Sequence, residues 1–411
     1  MVVLFPVLAV MGRDMMNGVF HPSFGALQVT VNDNPMSNPV VVLDSPDRIV
    51  ISFDERAEDR RYMRYELIHC DASWRADGLV SSEYLDGFNE GTVEEYEYSQ
   101  MTLVHYVHYR ITLPNEQMRF TISGNYLVRV YAEDNPDDTL LQARFCVSEA
   151  TAKVAAGVTS VTDAGVNDHF QQVEFTVDTE QVDGMEDLFS DLTVVVEQNG
   201  RQDNKVVISH PLRVSGKKAV YEHLRDLIFP AGNEYRRFET VSTQYPGMGV
   251  ERISFNDPFY NFSLYPDLSR AEGPYVYDQT QNGRFFVREY NSSMSDIEAD
   301  YAGVHFILDI PEIPGADVYI DGDLTGRRLD PGSRMIFNRG TGRYEKSMLL
   351  KQGAYNYQYL VVPHGTSKGL TAPVEGDFYN TRNEYTVKVY HRPRGSRYDR
   401  LIGAAGIVFG E

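Results

Sequence analysis

The chain has 411 residues, which is enough for about three domains of ordinary size. Hydrophobic residues make up 42% and charged residues 24%, a globular composition that excludes wholesale disorder. Acidic residues outnumber basic ones by 59 to 38, so the net charge is −21. Such a chain repels nucleic acid and anionic lipid at long range, which argues against both as partners.

The first residues form a short apolar run at positions 2–10, with the length of the apolar part of a signal peptide. No Lys or Arg precedes this run. We interpret residues 1–26 either as the remnant of a secretion signal or as a first strand or disordered tail, and we leave residues up to Gly25 out of the fold argument. No stretch reaches the roughly 20 apolar residues that a membrane helix needs.

Short runs of alternating apolar residues recur from residue 40 to residue 391, with polar turn clusters between them. A period of two in short runs predicts antiparallel strands. The clearest runs are residues 49–53, 126–130, 143–147, 173–177, 304–308, 355–361 and 385–389. Helical spacing is scarce, and only residues 222–229 fit one short helix.

Polar stretches at residues 148–153 and 291–296 indicate two boundaries between these series of strands. We therefore predict an all-β protein with three antiparallel immunoglobulin-like β-sandwich domains in tandem. Their expected ranges are residues 27–150, 151–298 and 299–391, with an early-set-like third sandwich. A basic C-terminal tail, residues 392–411, follows them.

Two cysteines, Cys70 and Cys146, are too few for a disulfide framework. Each lies in a strand-like run, so an oxidising compartment would permit one bridge between them. Free cysteines are commonly buried, so two packed thiols are the alternative.

No common catalytic motif occurs in the sequence, which lacks a nucleophile elbow, a zinc-protease helix, a Cys-x-x-Cys pair and a phosphate-binding glycine loop. His105 and His108 belong to one predicted strand, and their offset of three places them on opposite faces. His69 and its neighbour Cys70 likewise point apart, so neither pair predicts a metal site.

The segment at residues 321–326 begins like a calcium loop, with Asp321, Asp323 and Gly326 at the first, third and sixth positions. Gly332 occupies the twelfth position, where calcium binding requires a bidentate Glu. We therefore expect a hairpin turn between strands here.

Residues 83–97 combine carboxylates and tyrosines with two glycines, of which Gly87 favours a turn that other residues resist. Acid–base catalysis needs two carboxyl groups in different environments of one cleft, and the polar neighbours indicate solvent instead. Tyrosine and phenylalanine contribute strongly to protein interfaces. The segment is therefore expected either to contact another protein or to hold the shape of the first sandwich.

Several long stretches share the pattern of one known family. They are residues 65–74, which end at Trp74, then Tyr84, Leu85, Asp86, Gly87, Phe88 and Asn89, then residues 106–115 and 123–126. These stretches resemble the first domain of the type IX secretion system plug protein family. The resemblance continues in order through residues 247–252, 257–260, 264–267, 282–285, 352–359 and 397–403. It covers nearly all of the chain after the first two dozen residues.

This resemblance implies a non-enzymatic protein without a cofactor, a metal or a small-molecule substrate. Members are exported to the periplasm of Bacteroidetes-type bacteria. There they associate with the giant outer-membrane β-barrel translocon and seal its periplasmic mouth when no cargo is present. A different class remains open, a periplasmic carbohydrate-binding protein, because the alternating Tyr355, Tyr357 and Tyr359 of the third sandwich could form a platform for sugars or pack in its core.

The basic tail carries Arg392, Arg394, Arg397 and Arg400 within a few residues. Clustered cations favour an extended, solvated segment. Alternatively, Tyr398 anchors the tail on the body or on a partner while the arginines meet carboxylates bidentately. Together with Trp74 and residues 84–89, we take Arg397, Tyr398 and Arg400 as candidate contact residues.

Overall fold

The computed structural model describes residues 15–410, and strands make up nearly all of its regular structure. Residues 18–148 form the first group: β1 (Gly18–Val19), β2 (Phe24–Val31), β3 (Val40–Val42), β4 (Ile49–Glu55), β5 (Met63–Cys70), the one-turn helix α1 (Ser81–Tyr84), β6 (Leu85–Gly87), β7 (Gly91–Thr92), β8 (Glu95–Tyr98), β9 (Val107–Leu113), β10 (Met118–Phe120), β11 (Gly124–Ala132) and β12 (Asn135–Ser148).

Residues 153–230 form the second group: β13 (Lys153–Thr159), β14 (Val161–Thr162), β15 (Gly165–Val166), β16 (Phe170–Asp178), β17 (Leu192–Gln198), β18 (Val206–Ile208), β19 (Arg213–Ser215), β20 (Lys218–Tyr221), a 3₁₀ turn (Arg225–Leu227) and β21 (Ile228–Pro230). Residues 236–363 form the third: β22 (Arg236–Glu239), β23 (Val250–Asn256), β24 (Phe259–Leu264), β25 (Phe285–Val287), the one-turn helix α2 (Ser295–Glu298), β26 (Tyr301–Leu308), β27 (Ala316–Asp321), a 3₁₀ turn (Asp323–Thr325), β28 (Ile336–Asn338), β29 (Arg343–Lys351) and β30 (Gly353–Pro363). Two further strands follow, β31 (Glu384–His391) and β32 (Arg400–Val408).

Two sheets enclose one apolar core in the first sandwich, which we define as residues 18–148. One sheet has the order β1-β12-β11-β5-β7 with β3 beside β12, and the other has the order β2-β4-β9-β8. Phe53 of one sheet and Phe145 of the other lie in the same core. Every second residue of β9 is buried, as expected for a strand with one face on a core.

The second and third sandwiches are built in the same way. The second pairs the sheet β13-β16-β20-β19, with β21 beside β16, with the sheet β18-β17-β31-β32. The third pairs the sheet β22-β30-β25, with β27 beside β30, with the sheet β23-β24-β26-β29-β28. The prediction of an all-β protein with antiparallel sheets is confirmed, although β3–β12 and β24–β26 pair in parallel. The number of immunoglobulin-like domains stays a prediction. Within residues 15–410 no helix has the length and apolar character needed to cross a bilayer.

Strand pairing groups the chain differently from the ranges expected from the sequence. β22, β24 and β25 precede the expected boundary at residue 298, yet each pairs with β26 or β30 beyond it, and β23 joins the same sheet through β24. The segment expected to be a tail contains β32, which pairs with β31 and so completes a sheet of the second sandwich. The physical reason is that alternation identifies a strand and its inward face, but not the distant strand with which it pairs.

The N-terminal and helical expectations also need correction. Residues 1–14 lie outside the described residues, but β1 pairs with β12 and β2 begins at the buried Phe24. Residues 18–25 are therefore part of the fold. The helix expected at residues 222–229 is only the 3₁₀ turn Arg225–Leu227, which leads into β21. Leu227 and Phe229 are buried in the core of the second sandwich, and so short an apolar run does not distinguish a helix from a strand.

Candidate interaction site

The motif segment, which we define as residues 84–89, is anchored to the first sandwich by two polar side chains. Tyr84 is buried, and its hydroxyl donates a hydrogen bond to the carbonyl oxygen of Leu67 at 2.8 Å. The Asn89 amide donates to the same oxygen at 2.9 Å and accepts from the Leu67 N–H at 2.9 Å. Leu85 lies in the apolar core. These side chains fix the shape of the segment.

Gly87 allows the motif segment to lie close against a neighbouring backbone. Its φ is +118°, and a Cβ there would lie 1.9 Å from the carbonyl oxygen of Gln117. The next residue donates its N–H to that same oxygen at 3.0 Å, while its side chain, Phe88, is 77% exposed. Asp86 is exposed as well. The segment thus has an inward part that holds shape and an outward part, Asp86 and Phe88, that faces solvent.

Trp74 lies at the junction of the first and second sandwiches and is only 7% exposed. It belongs to an apolar cluster that joins Leu127 of the first sandwich to Tyr390 and Leu401 of the second. The Arg144 guanidinium lies 4.4 Å from the Trp74 ring centroid, within the range of a cation–π contact. Trp74 therefore contacts the other sandwich of the same chain.

Residues 392–399, which we call the C-terminal strap, connect β31 to β32 and lie against the first sandwich. The Tyr398 ring meets the buried His69 ring edge-on, with centroids 5.7 Å apart. Arg397 forms an ion pair with Glu83, the residue directly before the motif segment. The strap is therefore docked in this structure, as the second of our two interpretations supposed.

Two carboxylates fasten the C-terminal end of the strap. Asp399 accepts a hydrogen bond from the N–H of Ala72 at 2.9 Å. Arg400, directly after the strap, makes a bidentate pair with Glu149 at 2.9 and 2.6 Å, and the Ser123 hydroxyl donates to the same carboxylate at 2.8 Å. Burial disfavours the charged carboxylate, but these bonds outweigh burial and hold the pKa of Glu149 below its ordinary value.

A fully buried carboxylate joins the first and third sandwiches. Asp54 of β4 accepts from the Lys351 ammonium at 2.6 Å and from the Tyr301 hydroxyl at 2.8 Å. Its other oxygen is 2.7 Å from Nδ1 of His108, and Lys351 lies 4.2 Å from the centroid of the Tyr106 ring. Burial disfavours the charged form of Asp54, yet Lys351 and His108 lower its pKa overall.

All three sandwiches meet at one small polar cluster. Arg284 of the third sandwich donates to Glu384 of the second at 2.9 Å and to Asn38 of the first at 2.8 Å. The Asn38 amide also donates to Glu384 at 2.5 Å, so each residue contacts both others. Burial opposes the charge on Glu384, but Arg284 offsets it and lowers the pKa of that carboxyl. The cluster fixes three bodies at one point.

A cleft of about 450 Å³ opens beside this three-way cluster and is lined by residues of all three sandwiches. Its charged groups are engaged in ion pairs, such as Lys388 with Glu197 at 3.0 Å and Arg327 with Asp323 at 2.7 Å. Among residues 15–410, no group of three or more His, Cys, Asp and Glu side chains has an arrangement that could hold a metal ion. These charged groups of the cleft are thus engaged by partners within the chain.

The two cysteines are free and buried. Cys70 and Cys146 lie on β5 and β12, and Asn125 of the intervening strand β11 pairs with both of them. Two strand spacings separate their Cα atoms by roughly 9–10 Å, which exceeds the roughly 7 Å that a disulfide can span. Of the two interpretations, a disulfide or two packed thiols, the structure therefore supports two packed thiols.

Tyr355, Tyr357 and Tyr359 form no exposed row. They are 2%, 3% and 0% exposed and pack in the core of the third sandwich. Sugars stack on accessible aromatic faces, so of the two alternatives left open for these tyrosines the structure has packing in the core and not a sugar platform. Their polar ends are satisfied internally, because the hydroxyls of Tyr357 and Tyr359 both donate to Asp267 at 2.7 Å.

The calcium-like segment is a turn, but it does not join the two strands of a hairpin. Asp321 is buried and accepts from the Gln358 amide at 2.9 Å. The 3₁₀ turn Asp323–Thr325 follows, and the chain then crosses to the other sheet, because β27 pairs with β30 whereas β28 pairs with β29. Asp321 therefore supports packing.

The two histidines of the supposed strand are separated. β9 begins only at Val107, so His105 precedes the strand and lies beside Glu58 at 2.6 Å. His108 is in the strand and is bound to Asp54 at the junction described above. The pair does not converge on one point.

The fold and its junctions define a class of protein. It is an all-β body in which buried polar groups join the sandwiches and in which some aromatic side chains are exposed on the surface. A family model described as the type 9 secretion system plug protein 1st domain matches residues 25–149. A crystal structure of a hypothetical protein from Parabacteroides merdae ATCC 43184 is 41% identical, covers 96% of this chain and 100% of its own, and superposes with a TM-score of 0.95. The chain belongs to the type IX secretion system plug protein family.

A second similarity is too weak to carry an argument. An alkylpurine DNA glycosylase of Pseudomonas fluorescens, bound to DNA with an abasic site analog, matches 30% of each chain at 11% identity with a TM-score of 0.18. No curated protein sequence matches the chain. Membership of the plug family suggests a non-catalytic protein that associates with the secretion machinery of the cell envelope.

Sequence reasoning missed the two inter-sandwich clusters, centred on Asp54 and on Arg284. Asp54 ends an apolar alternation at a position where a charge is unexpected, and a lysine, Lys351, likewise ends β29. Charged residues are rarely fully buried without a partner, so such positions are a usable signal. The sequence did not indicate that these two residues, 297 positions apart, are partners.

Proposed function

We propose that this protein is a periplasmic plug that closes the periplasmic mouth of the giant outer-membrane β-barrel of the type IX secretion system. It would seal the pore when no cargo occupies it. The family match provides the link to this secretion system. The observation that carries the proposal beyond the family match is the three-way cluster of Asn38, Arg284 and Glu384, which ties three sandwiches into one body.

A plug has to resist deformation over a wide opening, and it needs no reactive cleft. Removing one partner of a buried ion pair costs about 3–5 kcal/mol because it leaves an uncompensated buried charge, so the junctions at Asp54 and Glu384 each depend on both partners being in place. We infer a non-enzymatic role without a cofactor. Release for cargo requires a moderately apolar interface, which is typical of non-obligate complexes.

The proposal is tested by deleting the gene in the source bacterium. We expect the outer membrane to become permeable to large antibiotics that it normally excludes, while the remaining translocon still secretes cargo. Re-expression of the intact chain should restore the barrier. Unchanged antibiotic sensitivity in a deletion strain with an active translocon would contradict the sealing role.

A further inference from the structure

Two long loops leave the third sandwich at the same end. Residues 240–249 connect β22 to β23, and residues 265–284 connect β24 to β25. β23 begins at Val250 and β24 ends at Leu264, and these two residues are cross-strand partners. The N–H of Tyr265 donates to the carbonyl oxygen of Gly249 at 3.0 Å, which joins the loops side by side. We call them the tyrosine loops.

The tyrosine loops expose an unusual number of large apolar side chains. These are Tyr245 (72% exposed), Met248 (47%), Tyr265 (58%), Leu268 (63%), Val276 (69%) and Tyr277 (57%). Apolar side chains gathered on a polar surface mark interaction sites. Tyrosines on loops at one end of a sandwich are also the means by which antibody domains bind proteins, because tyrosine offers contact area at low entropic cost.

Ion pairs hold the loop backbones in place. Arg236 of β22 donates to the carbonyl oxygen of Leu268 at 2.8 Å and to Asp267 at 2.7 Å. Arg237 pairs with Asp278 at 2.9 Å, which fixes the segment after Tyr277. A surface ordered before binding loses less conformational entropy when its partner arrives. The exposed tyrosines are therefore presented on rigid supports.

The tyrosine loops are nearly neutral, although the chain carries a net charge of −21. Residues 240–249 contain no charged side chain. In the other loop Asp267, Arg270 and Asp278 are engaged by residues of the sandwich body. Arg284 belongs to the three-way cluster, and Glu272 is exposed. A surface with so little exposed charge fits a partner that is itself largely uncharged there. It does not fit anionic lipid headgroups, which require cations.

We propose that the plug docks through the tyrosine loops onto an uncharged loop, rich in apolar and aromatic residues, at the periplasmic mouth of the translocon barrel. This inference rests on the proposed function. A second copy of the chain is the less favoured occupant because molecules of net charge −21 repel each other during approach. The tyrosine side chains are the expected anchors of the contact.

The test compares two double variants in the full-length protein. Tyr265→Ala with Tyr277→Ala removes two loop tyrosines that are 58% and 57% exposed. Tyr62→Ala with Tyr98→Ala is the matched control, because these tyrosines are 59% and 45% exposed on the first sandwich. Each tagged protein is purified from envelopes, and the barrel protein that co-purifies is identified and quantified by mass spectrometry. Thermal unfolding checks that both variants remain folded.

We expect the loop variant to recover at least tenfold less barrel than the wild type, while the control variant recovers the wild-type amount. Recovery of the barrel by wild type and loop variant alike would overturn the docking surface and leave the plug function intact. Failure of the wild type to recover any barrel would overturn both. Two outcomes would assign the surface to another occupant. One is a wild-type dimer that the loop variant abolishes while the recovery of barrel is unchanged. The other is binding of oligosaccharide at the same tyrosines.

Discussion

Lys351→Met is the substitution that most directly tests the junction of the first and third sandwiches. Lys351 and Asp54 are 2% and 0% exposed, and the ammonium lies 2.6 Å from the carboxylate. Methionine keeps much of the lysine volume, so the substitution leaves the buried carboxylate without its cation and with only Tyr301 and His108 as partners. An unpaired buried charge destabilises by about 3–5 kcal/mol.

The assay is urea unfolding at pH 7, followed by far-ultraviolet circular dichroism, with hydrogen exchange of β4 and β26 as a local probe. The matched control is Lys218→Met, because Lys218 forms an exposed pair with Asp178 at 3.5 Å. Exposed pairs contribute about 0–1 kcal/mol. We expect a loss of about 3–5 kcal/mol for Lys351→Met and a loss within about 1 kcal/mol for the control.

The double variant Asp54→Asn with Lys351→Met separates the ion pair from local packing. It removes both charges, so we expect it to regain part of the stability that Lys351→Met loses. Equal small losses for Lys351→Met and Lys218→Met would refute the argument that this junction depends on a buried ion pair. A double variant no more stable than Lys351→Met would attribute the loss to packing.

Three further outcomes are expected. Gly87→Val should destabilise the protein by at least about 1–3 kcal/mol, since φ is +118° and the new Cβ would overlap a carbonyl oxygen. The control Gly78→Ala, at a φ of +76° with open space around it, should lose less stability. Equal melting temperatures of the two variants would contradict this. The folded pKa of Glu149 is depressed, so the stability that Glu149 contributes is present above the ordinary pKa of 4.5 and is lost as pH falls through the folded pKa. The emission of Trp74 should therefore shift to longer wavelength only below about pH 4.5. A shift already at pH 6 would count against this prediction. Burial raises the pKa of the Cys70 thiol to about 12, so iodoacetamide at pH 8 should label it only after unfolding; rapid labelling of the folded chain would be inconsistent with this.

Local sequence was enough for several features of this protein. Alternating apolar residues predicted strands correctly because a strand with one buried face has a period of two, as in β9. Gly87 was expected in a conformation that other residues resist, and its φ of +118° agrees. The ordered motif stretches predicted the plug family, which the family model supports. Each of these signals is contained in a few neighbouring residues.

Other features were decided only when distant strands paired. β31 and β32 complete a sheet of the second sandwich, across the whole third sandwich in sequence, and the strap between them docks on the first. β11 separates Cys70 from Cys146, and the core takes up Tyr357 together with its neighbouring tyrosines. Strand pattern specifies which face is buried, whereas pairing and burial depend on contacts between residues far apart in the chain. For that reason the ion pair of Asp54 and Lys351 exists only in the tertiary structure.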